Sequence, residues 1–130
     1  MLIIRKEQMD AFQQHAEETF IHSIFEQLQS SHADAVPNVP AEKVYKRIAY
    51  GIEKARAYGL TWQNNITTFV ALMFTVAPDF DNHPAFHRYL TDERVEPDKR
   101  IGMLLKKITD SDWNKARESL GRAHWPEEML

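Results

Sequence analysis

Residues 61–77 read TWQNNITTFVALMFTVA, and within them the apolar run Phe69–Ala77 is broken only by Thr75. Trp62, Ile66, Phe69, Val70, Met73, Phe74 and Ala77 recur at helical spacing, while Ala71 and Leu72 fill the opposite side. A helix that is apolar on most of its faces has to be surrounded by other elements. The run is about half the roughly 18 apolar residues that a membrane span requires. It therefore predicts the central helix of a bundle, over about residues 61–77. Thr61 supplies an N-cap hydroxyl. Pro78 ends the helix, because the residue before a proline is driven out of helical geometry.

The flanking sequence supplies the helices that would wrap this one. Upstream, Phe12, Ala16, Phe20, Ile24 and Leu28 recur at four-residue steps, and Met9, Ile21 and Phe25 widen the stripe. They predict an amphipathic helix from about Lys6 to Gln29 with one broad buried face, preceded by a lead-in at Leu2–Ile4. The loop SSHADAVPNVP follows, with prolines that no helix interior tolerates. A second helix starts near Ala41 with Val44, Ile48, Ile52 and Ala55 inside. Gly51 allows a close helix approach there, and Gly59 acts as a left-handed cap.

Downstream, PDFDNHP reads as a turn, and a short helix follows over Pro84–Leu90. Pro97 opens a fifth helix with Ile101, Leu104, Leu105 and Ile108 inward. Thr109 or Asp110 caps a sixth, from about Ser111 to Leu120, with Trp113, Ala116 and Leu120 inward and Gly121 as its stop. Residues 121–130 form a loosely held tail on which Trp125 can dock. The expected architecture is all-α: one domain over residues 1–130, built of five to six helices.

Composition narrows the function classes. The chain has 130 residues, no cysteine, and a net charge of −3 from 16 basic and 19 acidic residues. Without cysteine there are no disulfides, thiolate metal sites or cysteine nucleophiles, which suits a reducing compartment. An acidic balance gives no electrostatic footprint for nucleic acid. The apolar start MLII is too short for a signal-peptide core of about 7–15 residues. A cytoplasmic protein with no membrane segment is expected. No glycine-rich phosphate loop or nucleophile elbow is present.

The densest group of acids and histidines follows the central helix: Asp79, Asp81, His83 and His87. Two histidines four apart share a helix face and suit a metal, although Pro84 places His83 at the helix start. A calcium loop fails, because its glycine and glutamate positions hold Pro84 and Leu90. The favoured reading is a helix stop with polar caps. Asp81 or Asn82 caps the short helix, Asp79 turns back onto freed backbone groups, and Phe80 pins the corner in the core. The alternative is a small metal-dependent hydrolase or metal-binding protein using the four acids and histidines.

Two further groups are weaker. Glu18, His22 and Glu26 lie at four-residue steps and suit a weak metal site or a general base. As a solvated stripe they gain only about 0.2–0.5 kcal/mol per pair, and that reading is preferred. Lys43, Arg47 and Lys54 line one edge of the second helix with Lys46 and Arg56 nearby. They form either a docking strip for an acidic surface or a plain solvated face. Trp62, Trp113 and Trp125 would support a homo-oligomer if they formed one exposed patch.

Three stretches taken together, IRKEQMDAF, GIEKARAYGLTWQNNITTFVALMFTVAPDFD and RIGMLLKKIT, resemble a family of small helical accessory proteins. These are encoded beside bacterial type VI secretion effectors and their PAAR or spike partners. The matching features are Gly51, Arg56, Tyr58-Gly59, the Phe69–Ala77 run and Pro78-Asp79-Phe80-Asp81. The resemblance spans roughly residues 2–108, and Ala77 stands where the family commonly has glycine. It implies a non-catalytic adaptor, chaperone or immunity-like partner of an effector, with a protein partner and no cofactor. It points to Arg47, Lys54, Tyr58, Asp79, Phe80 and Asp81 as partner contacts.

Overall fold

Periodicity becomes helix wherever the chain lacks proline and glycine. In the computed structural model, which describes residues 6–120 and 125–130, six α-helices follow one another. They are α1 (Lys6–Ser31), α2 (Ala41–Ala57), α3 (Gln63–Thr75), α4 (Pro84–Leu90), α5 (Pro97–Lys107) and α6 (Asp110–Leu120). Short 3₁₀ turns occur at Ala33–Ala35, Phe80–Asn82 and Glu127–Met129, and no strand occurs among the described residues. The chain is an all-α bundle. The expected Leu2–Ile4 lead-in, the Gly121 stop and the inward Leu120 side chain lie outside the described residues.

α3 is the hub. Phe69, Val70, Leu72 and Met73 are buried, and α2 and α5 pack against α3. Each such side chain contributes about 1.5–3 kcal/mol by leaving water. The α2 stripe of Val44, Ile48, Ile52 and Ala55 faces α3 and is buried throughout. Gly51 makes the approach close: a Cβ built there would lie 3.0 Å from Met73 Sδ and 3.0 Å from Val70 Cγ2. At the end of α2, Gly59 takes φ +90°, the left-handed geometry that glycine adopts without a Cβ clash.

Several details depart from the sequence reading. α1 is buried only from Phe20 onward, at Phe20, Ile24 and Leu28, and residues 6–16 are all exposed. Met9 is 49% and Phe12 71% exposed, so none of the described residues buries the stripe in the first three turns. Leu105 likewise faces water. Of the three tryptophans only Trp62 is exposed. Trp113 packs edge-on to Phe86 at 5.1 Å, and Trp125 against Phe74 at 5.0 Å, so no shared tryptophan patch forms.

The caps differ in a similar way. Thr61 does not cap α3 from within. Asp98, in the first turn of α5, takes hydrogen bonds from the Thr61 and Trp62 amides, both at 2.9 Å, and from the Thr61 hydroxyl and Asn65 amide. Burial alone would raise the Asp98 carboxyl, but these four donors together outweigh it and hold it down at about 2. The cap of α6 is the expected Thr109, whose hydroxyl accepts from the Asp112 amide while the Asp112 carboxylate accepts from the Thr109 amide.

Candidate functional site

The corner after α3 is built by backbone first. α3 stops at Thr75, Pro78 bars its continuation, and the Phe80–Asn82 turn swings the chain into α4. Phe80 drops into the core, 5.0 Å from the Phe69 ring and 5.7 Å from Phe86. That anchor carries the neighbouring Asp81 inward, where it is 2% exposed.

A buried carboxylate needs partners, and α2 supplies them. Lys54 Nζ donates to Asp81 Oδ1 at 2.7 Å and to the Pro78 carbonyl at 3.2 Å. Tyr58 Oη donates to Asp81 Oδ2 at 2.8 Å. His87 Nδ1 donates to the Asp81 backbone carbonyl at 3.1 Å. Burial pushes the Tyr58 phenol well above its ordinary value, and the hydrogen bond to Asp81 and the charge of Asp81 push it further. Tyr58 therefore stays protonated and acts as a donor, not as a base.

The expected caps are redistributed. His83, not Asp81 or Asn82, caps α4, its Nδ1 accepting from the Ala85 amide at 3.3 Å. Asp79 does not fold back onto the backbone, and its Oδ1 is buried without a hydrogen-bond partner among the described residues. His83 and His87 sit four apart, yet one caps the helix and the other bonds Asp81. Among the described residues, no group of three or more acids and histidines is arranged to hold a metal ion. On α1, His22 packs its ring 4.6 Å from that of Tyr45.

The basic edge of α2 is largely covered. Arg47 is 6% exposed and donates through Nε to the Met129 carbonyl at 2.7 Å, and Lys43 Nζ donates to the Leu130 carbonyl oxygen. Lys54 is turned into the corner. Arg56 forms a two-pronged pair with Glu17 of α1 at 2.9 and 3.1 Å. Of the six residues expected to meet a partner, Phe80 and Asp81 are thus interior, Asp79 is half-buried, Lys54 and Tyr58 are bonded to Asp81, and Arg47 lies beneath residues 125–130. The docking of Trp125 was expected, but its pairing with Arg47 and the capping role of Asp98 had no local sequence signal, because each joins residues far apart in the chain.

A groove also runs along the outer side of α3. Its volume is about 270 Å³, and it lies between Ile24, Leu28 and His32 on one side and Thr68, Ala71 and Thr75 on the other. Comparison with family models, curated proteins and solved structures finds no match.

Proposed function

We propose that the chain is a non-catalytic helical interaction module, an adaptor, chaperone or immunity-like partner of a type VI secretion effector. The observation that carries the interaction reading is the outward half of α1. At a rise of about 1.5 Å per residue, residues 6–16 extend roughly 16 Å as exposed helix. An isolated helix this short is marginal in water. Here it is continuous with a packed half and steadied by the Arg56–Glu17 pair. Met9 and Phe12 stand on it bare, the kind of apolar anchors that an amphipathic helix lays into a partner's groove.

The chemistry of the corner supports the same reading. The Asp81 carboxylate accepts from Lys54 and Tyr58, and Tyr58 is held protonated, so the group works as a clasp between α2 and the corner. The effector as partner rests on the sequence motifs alone. Co-expression with the proteins encoded beside this one, followed by co-purification, tests it. Capture is expected to fail for Met9→Asp and Phe12→Asp variants that melt like wild type. Capture that ignores both substitutions, or the absence of any captured neighbour, refutes the proposal.

A further inference from the structure

We propose that the face of α2 bearing Lys43, Arg47 and Tyr50, closed by Phe74 of α3, is a binding site for a short peptide. The peptide it fits carries a tryptophan followed by a proline and a short turn. The chain's own residues 125–130, WPEEML, fill this site in cis, and a partner segment of the same chemistry fills it in trans.

The bound tail shows the recognition chemistry. The Trp125 ring lies 5.0 Å from Phe74 and 6.3 Å from Tyr50, with the Arg47 guanidinium 5.4 Å from its centroid. This is an aromatic box with a cation on one wall. Pro126 starts the turn, and its carbonyl accepts from the Met129 amide at 2.8 Å. The turn aims the Met129 and Leu130 carbonyls at Arg47 and Lys43. Those bonds reach backbone oxygens only, so at these two positions they do not select a side chain. Selection falls to the tryptophan pocket, with the turn setting the spacing from pocket to cations.

The tail sits at the margin of the core. Among the described residues the fully buried core lies between Phe20 and Ala116, and Trp125 packs against it only partly buried. Burial under the tail lowers the pKa of Arg47, a cation kept from water. Releasing the tail returns that cation to solvent, which offsets part of the loss of contacts. A tethered segment competes at an effective concentration on the order of millimolar. An external peptide therefore binds weakly until the tether's anchor is removed.

The inference rests on the interaction-module reading only in supposing that the molecule has partners, and the titration that tests it needs no neighbouring protein. A fluorescent WPEEML peptide is titrated into the full chain and into its Trp125→Ala variant, with helicity checked by circular dichroism. The variant is expected to bind at least tenfold more tightly than wild type. Adding Lys43→Ala, or replacing the peptide's tryptophan with alanine, is expected to cost most of that gain. If Trp125→Ala melts below the assay temperature, Pro126→Gly, which loosens the tail's turn and leaves Lys43, Arg47, Tyr50 and Phe74 in place, serves as the opened form. A helical variant that binds no peptide, or binds equally well without the tryptophan, overturns the proposal. Co-purification that depends on Phe12 leaves this site untouched, so the two proposals fail separately.

Discussion

Asp81 gathers Lys54 and Tyr58 on its carboxylate and His87 on its carbonyl, and it does so at a side chain only 3% exposed. Removing one member of a buried pair leaves the other uncompensated, at about 3–5 kcal/mol. Lys54 keeps 20% of its surface in water, which softens the loss. Asp81→Asn is therefore expected to cost about 2–3 kcal/mol, read from the urea midpoint, and Tyr58→Phe about 1–2 kcal/mol. An unshifted midpoint for Asp81→Asn would mean that the clasp does not hold the corner. Asp98 makes a prediction in pH. Its folded pKa, about 2, lies below the usual unfolded value near 3.9. Its contribution is therefore complete above about pH 4 and is lost as pH falls towards 2. Thermal melts should show Asp98→Asn destabilised at neutral pH, with a flatter decline than wild type between about pH 4 and pH 2. Parallel acid limbs in the two proteins would contradict the capping role.

Between elements, the contact of α2 with α3 is set by one missing methyl. Alanine at Gly51 gains up to about 1 kcal/mol in helix propensity, but its Cβ meets Val70 Cγ2 at 3.0 Å. Met73 can swing its thioether away, whereas Val70 is β-branched and stiff. Overpacking of this kind costs about 1–3 kcal/mol, so Gly51→Ala is expected to be net destabilising by up to about 2 kcal/mol. Combined with Val70→Ala it should become favourable relative to Val70→Ala alone, and a double-mutant cycle measures that coupling. Strictly additive effects would show that the two residues do not meet. This close approach was legible in the sequence, as were the buried stripes of α2 and α3, because a 3.6-residue period reports which face of a helix is apolar. It does not report whether another element lies opposite. Phe12 and Leu105 have the right phase, but none of the described residues buries them. The clasp partners were named in the sequence as outward contacts, because spacing along one helix cannot show that Lys54 and Tyr58 turn towards a carboxylate 23 to 27 residues away. Asp98 is a helix cap borrowed from another element, and no local cap rule would find it.

Across the whole molecule, stability is graded from one end of α1 to the other. α3 is shielded by α2 and α5, with Phe80 and Phe86 beneath it, so opening its amides requires global unfolding. The first turns of α1 have backbone hydrogen bonds but, among the described residues, little burial to resist local opening, since residues 6–16 are exposed throughout. Local opening energies run from near zero in such segments up to the global value in the core. Hydrogen exchange should therefore show weak protection at residues 9–16, intermediate protection at residues 20–28, and the slowest exchange at residues 66–73. Phe20→Ala, which opens a cavity under α1, is expected to cost about 3–4 kcal/mol and to speed exchange along the whole helix. Phe12→Asp, by contrast, should move stability by less than about 0.5 kcal/mol. A partner that docks on the free half must slow exchange at residues 9–16 when it binds, while leaving residues 66–73 at the ceiling they already reach. If residues 9–16 of the isolated chain exchange as slowly as α3, the outward half of α1 is already covered in solution. A second copy of the chain would then be its first partner, and sedimentation would find the dimer.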